Sequence, residues 1–445
     1  MRVGEQVQDD VTENNQKEEG TTMGEKRVKF DVWAMAITMT LLVVISIFFV
    51  PDVSKAATAN QPDAKIAVVY PLSGALSRNG NLMVQGIKAA IGWVNDNGGI
   101  KSLGGAKLVP VIADSGSSVE GAASAMDRVA RDPEILMAVG CWASSFTLSA
   151  TEITERLGIP QFSISFTDAL HSRGFKWGFY VSPPSTVFGS LGIGRFLDMA
   201  KALGHSPKTA MAVSDNQAAS RAHVEACKQY FANAGIKVVG DEAFTMGTLV
   251  DATPIMQKVK AANPDIVVFA PSSINEAQLL LMKKRELKIN TPFVGSTGAH
   301  ADPSFLGVGA QFLEGFTTLT NSWPHKLTPP EWIKRTLDQC RKEYSNEAFM
   351  GQELTHGWSL IPVMAEALER AGSRNREAIR EAALKMEIHD VMATRSFPKQ
   401  GIAFDPNGRI AKKYQDVLLV QWQDGVPKTI FPTELAVAKP IWYTE

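Results

Sequence analysis

The residues of this chain best suited to chemistry are short hydroxyl side chains that directly follow predicted strands. A serine or threonine hydroxyl both donates and accepts a hydrogen bond, and its small size leaves nearby backbone N–H groups open to a ligand. In an open parallel sheet, ligands bind beyond the carboxyl ends of the strands, where loops enter helices. Loops of this composition occur at Ser73, 142–145, 165–168, 214–217, 272–273 and 296–297.

Two of these serines, Ser144 and Ser145, also begin a predicted helix. The free amides and the positive dipole end of a helix favour a bound carboxylate. Serine and aspartate are also preferred helix N-caps, so capping alone accounts for each polar residue at a strand–helix junction. From the residues alone, both ligand binding and capping remain open.

Sequence motifs for catalysis and metal binding are missing. The chain has no G-x-S-x-G elbow, no P-loop and no G-x-G-x-x-G after a strand. Its seven histidines show no metal-like pairing, and the wide spacing of Cys141, Cys227 and Cys340 matches no zinc pattern. We therefore predict a protein that is not an enzyme and that holds no cofactor or metal.

The length and charge of the chain limit the architectures that could position these residues. A chain of 445 residues, 45% of them hydrophobic, is too long for one ordinary compact unit and suits two lobes. Its 45 Lys and Arg residues balance 46 Asp and Glu residues, for a net charge of −1. This balance gives no basic surface for nucleic acid.

Short apolar strands alternate with helices along the chain. Strands are predicted at 65–70, 107–113, 135–140, 161–165, 209–214, 237–244, 265–270 and 291–295, and helices at 82–97, 119–131, 144–157, 221–234, 275–287, 332–344, 353–371 and 376–386. Near-continuous apolar strands separated by helices indicate parallel sheets covered on both faces. Two such series, before and after about residue 182, predict two doubly wound α/β lobes. The late apolar pieces 401–405 and 414–422 are expected to return to the sheets.

The N-terminus has the features of an export signal. Basic residues at 26, 27 and 29 precede an apolar run from Val32 to Val50, and Ala57-Thr58-Ala59 fits a signal-peptidase site. We expect cleavage there and a periplasmic protein. The run of 19 residues exceeds the usual signal core of about 7–15, so an uncleaved membrane anchor at 32–50 is the alternative. Met23 is an alternative start, with 1–22 as a polar extension.

Three segments carry a resemblance to a known family. The sequences at 64–80 (AKIAVVYPLSGALSRNG), 86–100 (GIKAAIGWVNDNGGI) and 158–183 (GIPQFSISFTDALHSRGFKWGFYVSP) resemble type I periplasmic binding proteins. The subgroup is that of the receptors for branched-chain amino acids and amides in ABC transporters. The resemblance runs from about Ala64 to about Gln423.

The resemblance implies a lobe division with three crossings of the chain, near 182–185, 317–325 and 412–416. The ligand would then be closed into the cleft between the lobes. The implied arrangement is an extension and signal peptide at 1–59, a first lobe at 60–182 and 320–413, and a second lobe at 183–319 and 414–445.

Candidate ligand-binding residues follow from the strand ends and the resemblance together. They are Asn79, Trp142, Ser144, Ser145, Ser165, Thr167, Asp215, Ser272 and Thr297. Of these, Ser144, Ser165 and Thr167 match positions where relatives hold an α-carboxylate or α-ammonium. We expect a carboxylate there, because Ser144 heads a helix. Asp215 also matches an aspartate of relatives, although the Tyr-Gly pair that follows it in them is replaced by Ala219-Ser220.

The candidate pocket differs from that of a branched-chain amino acid receptor. Relatives often have an acid where this chain has Thr297, and aromatic residues where it has Asn79 and Ser272. An ammonium in a water-poor cleft needs a paired charge or several acceptors. The missing acid therefore favours a ligand that has a carboxylate or amide but no ammonium. If Asp168 takes the place of that acid, an amino acid remains an alternative ligand. Aromatic walls are expected from Trp142, Phe146, Phe166 and Trp323.

The predicted function is that of a periplasmic receptor. It would capture a small carboxylate, amino acid or amide by closure of the cleft and deliver it to an ABC permease with ATPase subunits. A sensory or regulatory ligand-binding protein of the same fold is the alternative, and an enzyme built on two α/β lobes ranks third. An export signal without an effector domain favours the receptor. We expect a monomer with no nucleic-acid partner.

Overall fold

The computed structural model describes residues 62–344 and 347–443. The predicted leader at 1–59, including the apolar run at 32–50, lies outside the described residues. Within the described ranges, no helix combines the length and apolar character needed to cross a membrane.

The first sheet is built from strands in the first part of the chain. Its strands are β1 (Ala64–Tyr70), β2 (Leu108–Asp114), β3 (Ile135–Gly140), β4 (Gln161–Ser163) and β5 (Gly178–Tyr180). They are parallel throughout, in the order β2-β1-β3-β4-β5. Every residue of β3 is buried, as expected for a strand covered on both faces.

Helices connect these strands. They are α1 (Ser77–Asp96), α2 (Val119–Ala130), α3 (Ser144–Leu157) and the single turn α4 (Ala169–Ser172). Helix α2 begins after Ser118, whose hydroxyl accepts a hydrogen bond from the N–H of Gly121 at 2.9 Å. Helix α3 ends at Gly158, whose φ of 62° is the left-handed conformation that glycine adopts at helix ends.

The second sheet repeats the same order. Its parallel strands are β6 (Thr209–Asp215), β7 (Lys237–Phe244), β8 (Ile266–Ala270), β9 (Phe293–Gly295) and β10 (Thr317–Thr320), arranged β7-β6-β8-β9-β10. The helices of this part are α5 (Ser185–Ala202), α6 (Ala218–Ala234), α7 (Thr253–Ala262), α8 (Ile274–Glu286) and the short α9 (Ala310–Leu313). The predicted class of two doubly wound α/β lobes is therefore confirmed.

The last part of the chain contributes elements to both lobes. It contains α10 (Pro330–Arg341), α11 (Gln352–Ala371), α12 (Arg376–Lys385), β11 (Glu387–His389), β12 (Gly401–Ala403), β13 (Leu418–Gln423) and β14 (Val426–Phe431). Helices α10 and α11 pack on α1, and α12 packs on α11. Strands β13 and β14 extend the second sheet antiparallel beyond β10. The chain thus passes between the sheets after β5, after β10 and before β13.

The expectation that 401–405 returns to a main sheet is wrong. Strand β12 pairs with β11 in a separate two-stranded sheet. The segment after β12 only touches the edge of the first sheet, where the N–H of Tyr180 donates to Gly408 O at 2.7 Å. Phe404 packs on Phe179, with ring centroids 5.2 Å apart. The apolar segment at 401–405 therefore covers the edge of the first sheet at β5 and does not pair with it as a further strand. Sheet edges are often covered in this way.

Helices α1 and α11 cross in direct backbone contact. A Cβ atom at Gly86 would lie 2.2 Å from Leu354 O, and one at Gly357 would lie 2.1 Å from Met83 O. Glycine at both positions is therefore required for this approach. The crossing fixes the first turn of α11 beside the ends of β1 and β3, where its polar side chains reach the cleft described next.

Candidate ligand-binding cleft

A cleft lies between the carboxyl ends of the two sheets. The space between its walls, including the open mouth, is about 710 Å³. Its walls come from the end of β1, the loops after β3 and β4, and the loops after β6, β8 and β9. Helix α1 and the N-terminal turns of α5, α6 and α11 complete them. Both sheets therefore face one cavity at their strand ends.

Ser144 lines this cleft at the start of α3. Its Oγ accepts hydrogen bonds from the backbone N–H groups of Phe166 (3.2 Å) and Thr167 (3.4 Å). These contacts leave the hydroxyl proton for a ligand acceptor. No side chain caps the helix, because the N-cap residue is Ala143. The first amides of α3 thus point toward the cleft with the positive dipole end of the helix.

Three of the predicted first-lobe hydroxyl residues lie outside the cleft lining. Ser165 is buried, and its hydroxyl contacts the hydroxyls of Thr147 at 2.6 Å and Ser163 at 2.9 Å. Thr167 is also buried, whereas Ser145 is partly exposed on the helix. Of the predicted first-lobe hydroxyls, the structure therefore brings only Ser144 to the cavity surface.

Asp215 lies beneath the second-lobe wall rather than in it. It is fully buried, and its carboxylate accepts from the backbone N–H groups of Gln217 (3.0 Å) and Ser272 (2.5 Å). Burial raises its pKa. Ser272 lines the cleft, as predicted, and its hydroxyl contacts that of Ser220 at 2.8 Å. Ser220 and Gln217 also line the cleft but were not predicted as candidates.

Thr297 joins the two sides of the cleft. It follows β9 and lines the cavity, and its Oγ1 accepts a hydrogen bond from Gln352 Nε2 at 2.7 Å. Gln352 begins α11, which packs over the first sheet. The bond therefore crosses between the lobes.

Glu353, the next residue of α11, is an acid in the cleft that the sequence-based prediction missed. It lines the cavity and is 2% exposed. Its Oε1 accepts from Asn79 Nδ2 at 3.1 Å and from Trp142 Nε1 at 3.4 Å, while Oε2 has no hydrogen-bond partner. Burial is the main cause that raises its pKa, to about 7. Asn79, predicted to contact ligand, instead orients this acid from outside the lining.

Two histidines that the prediction did not assign to the site also line the cleft. Burial lowers the pKa of His223 and of His356 to about 3, so both rings are neutral at neutral pH. His223 Nδ1 and His356 Nε2 lack hydrogen-bond partners. His300, by contrast, is a core residue whose Nε2 contacts Pro271 O at 2.8 Å.

Aromatic side chains form part of the walls. Phe166 and Phe188 pack with ring centroids 5.0 Å apart, and Trp142 adopts the left-handed region at φ 75°, which is rare for a bulky residue. Of the four aromatic walls expected, Trp142 and Phe166 line the cleft. Phe146 and Trp323 are buried in the cores of the two lobes.

An ion pair also connects the lobes beside the cleft. Arg78 on α1 contacts Asp302, in the segment between β9 and β10, at 2.7 Å and Glu347 at 2.8 Å. Asp302 is 1% exposed and Glu347 is 4% exposed. Asp302 Oδ2 and Glu347 Oε2 have no hydrogen-bond partners. Two buried carboxyl groups thus share a single guanidinium.

Sequence comparison identifies related proteins over most of the chain. The model of the periplasmic binding protein family matches residues 63–426. The Leu/Ile/Val-binding protein homolog 7 of Brucella abortus is 22% identical over 388 residues, covering 85% of this chain and 93% of that protein. The homolog 8 of Brucella suis is 23% identical and covers 87% and 94%.

Solved structures share the fold. The leucine-binding protein LivK of Thermotoga maritima superposes with a TM-score of 0.68 at 22% identity, covering 82% of this chain and 97% of that one. A solute-binding protein of an ABC transporter from R. palustris, in complex with benzoate, superposes with a TM-score of 0.69 at 17% identity and covers 86% and 99%. At these identities the likeness concerns the fold alone.

Proposed function

Because this chain belongs to the periplasmic binding protein family and is therefore a solute-binding protein rather than an enzyme, we propose that it captures a small carboxylate, amino acid or amide in the cleft. Closure of the lobes around this ligand would present it to an ABC permease with ATPase subunits. We further propose that the protein works as a periplasmic monomer after removal of the leader.

One observation carries the proposal: a single cavity receives side chains from both lobes and contains buried polar atoms without partners. Glu353 Oε2, His223 Nδ1 and His356 Nε2 are such atoms. A buried polar group without a hydrogen bond costs about 1–3 kcal/mol. A ligand that supplies the missing partners recovers this free energy only when both lobes enclose it, which couples binding to closure.

The first-lobe wall supports a carboxylate at the start of α3. The Ser144 hydroxyl and the uncapped first turn present hydrogen-bond donors and a positive dipole end. Phe166 and Phe188 offer apolar surface for the remainder of the ligand. Among relatives, the Thermotoga protein is named for leucine and the R. palustris protein was solved with benzoate, which supports a small organic acid here.

The test is a binding panel with matched variants. The purified protein would be heated with amino acids, their amides, and aliphatic and aromatic carboxylates, since a ligand that binds the folded state raises the unfolding midpoint. Calorimetry would then compare Ser144→Ala with Ser145→Ala. A hydrogen bond to a charged group contributes about 1.5–3 kcal/mol, so Ser144→Ala should weaken carboxylate binding about ten- to a hundredfold.

Ser145→Ala is the control, because the same hydroxyl is removed one residue further on, outside the lining. Its affinity should stay close to that of the wild type, and Thr167→Val should change affinity less than Ser144→Ala does. Equal losses in both serine variants would contradict the placement of the carboxylate, and no binding by any member of the panel would contradict the proposed ligand classes.

A further inference from the structure

We infer that Glu353 binds a protonated amino group of the ligand and thereby selects aminated acids over the same acids without an amine. This inference rests on the proposed function of the cleft and specifies the group that the ligand presents to α11.

The carboxylate of Glu353 is fixed in one orientation. Two donors from different elements, Asn79 on α1 and Trp142 in the loop after β3, both bind Oε1. Oε2 is buried and has no partner. Since one oxygen is satisfied and the other is not, the side chain is oriented in advance for a single further donor. Trp142 lies two residues before Ser144, so this acceptor and the anion site of α3 share one part of the cleft.

The charges around Glu353 favour a cationic donor. Asp302 acts on it electrostatically and raises its pKa further, after burial. Arg78, the nearby base, is already bound to Asp302 and Glu347. Among the described residues that line the cleft, Glu353 is the sole acid, and neither lysine nor arginine joins it. An anionic ligand group placed here would be repelled by Glu353 and Asp302, whereas an ammonium would be attracted to them.

Two histidines and a tyrosine that face this region keep one charge state near neutral pH. His356 on α11 and His223 on α6 have pKa values lowered by burial to about 3. Tyr70, at the end of β1, has a pKa raised well above its usual value by burial. Burial also raises the pKa of Glu347. The change of charge of Glu353 itself therefore dominates the pH response expected in this cleft.

The sign of that response follows from linkage. The pKa of Glu353 is about 7 in the folded protein, and an ammonium beside it favours the charged carboxylate. Binding of an aminated ligand must then expel the proton whenever the pH is below about 7. Its affinity should fall about tenfold between pH 8 and pH 6. A ligand that instead accepts a hydrogen bond from the protonated acid would show the opposite trend.

The experiment uses pairs of probes that differ by one amino group. The pairs are leucine with 4-methylpentanoate, phenylalanine with 3-phenylpropanoate, and 4-(aminomethyl)benzoate with 4-methylbenzoate. Each would be titrated calorimetrically into the wild-type protein and Glu353→Gln at pH 6, 7 and 8. For the aminated member that binds, Glu353→Gln should weaken binding about ten- to a hundredfold and abolish the pH dependence.

Glu276→Gln is the matched control. Glu276 on α8 is also a buried acid with one unpartnered oxygen and a pKa raised by burial, but it does not line the cleft. This variant should keep the wild-type affinity and the wild-type pH dependence. A general effect of removing a buried charge would instead appear in both variants.

The outcomes separate this inference from the proposed function. Tighter binding of the aminated member, lost in Glu353→Gln alone, supports it. Equal or tighter binding of the member without the amine, unchanged affinity in Glu353→Gln, or affinity that rises as the pH falls would overturn it and leave the proposed function intact. If neither the six probes nor any other member of the binding panel binds the wild-type protein, the proposed ligand classes fail, and this assignment fails with them.

Discussion

At the scale of single residues, the cleft depends on which polar atoms are already satisfied. Ser165 and Asp215 were natural candidates from sequence, yet their polar groups are satisfied by Thr147, Ser163 and the backbone of Gln217 and Ser272. The spacing of residues along a strand and its loop does not reveal such internal bonds. Which hydroxyls remain for a ligand can be seen only once their neighbours are placed.

Glu353 was missed for a related reason. The prediction searched strand ends, where parallel sheets bind ligands, and Glu353 enters the cleft from the first turn of a helix that follows no strand. The signal available in the sequence is an acid at the start of an otherwise apolar helix, and this pattern equally indicates a favourable charge at a helix N-terminus. The sequence has a threonine at position 297, where relatives often have an acid, and this was expected to disfavour an ammonium. Because Glu353 supplies an acid to the cleft, that expectation no longer follows. Asp168, the suggested substitute, instead accepts from Thr186 Oγ1 at 2.6 Å.

The pH dependence of the free energy of unfolding should reveal the raised pKa of Glu353. The folded protein keeps the proton of Glu353 up to about pH 7, whereas the ordinary pKa is 4.5. Between these values the folded state binds more protons than the unfolded state, so the free energy of unfolding falls as the pH rises. Between pH 4.5 and pH 8, the free energy of unfolding of Glu353→Gln should therefore rise by about 3 kcal/mol relative to that of the wild type.

Urea denaturation at several pH values would measure this difference, with each variant compared with itself to remove effects common to both proteins. Parallel stability curves for the wild type and Glu353→Gln across this range would contradict the raised pKa of the acid.

At the scale of elements, sequence patterns predicted most of the secondary structure that carries the cleft. Apolar runs identified β1, β3, β6 and β8 to within about two residues, because buried parallel strands are nearly continuous in apolar residues. Strand β10 was missed because three of its four residues are threonines, which are buried in the sheet. Strand β14 was missed because it contains Pro427, which an edge strand tolerates.

The crossing of α1 and α11 is the contact between elements that positions Glu353. At Gly357, an added Cβ would lie 2.1 Å from Met83 O, so the two helices would have to separate. Overpacking of this kind typically costs about 1–3 kcal/mol. Gly357→Ala should therefore lower the free energy of unfolding by about that amount and weaken ligand binding, because α11 carries Glu353 and His356 away from the opposite wall.

Gly351→Ala is the control on the same helix. The nearest atom to an added Cβ there is Pro303 Cδ at 3.6 Å, an ordinary contact, and its φ of −76° suits any residue. Denaturation and calorimetry should find this variant close to the wild type. If Gly357→Ala matches it in both measurements, the close crossing does not hold the site.

At the scale of the whole molecule, the cleft is closed by bonds between the lobes as well as by its walls. Arg78 and Asp302 pair across it at 2.7 Å, and Gln352 donates to Thr297 at 2.7 Å. The chain passes between the two sheets three times, so the lobes can rotate about these connections while each sheet stays intact. Pairing across the cleft stabilises the closed arrangement, and a ligand that bonds to both walls shifts the population further toward it.

Small-angle X-ray scattering tests the claim of capture by closure most directly. The radius of gyration would be measured for the wild-type protein alone and with a saturating concentration of the tightest ligand from the calorimetric panel. We expect a smaller radius with ligand, and a larger radius without ligand in Asp302→Asn, which loses the charge that pairs with Arg78. A radius unchanged at a ligand concentration where calorimetry shows full occupancy would contradict it.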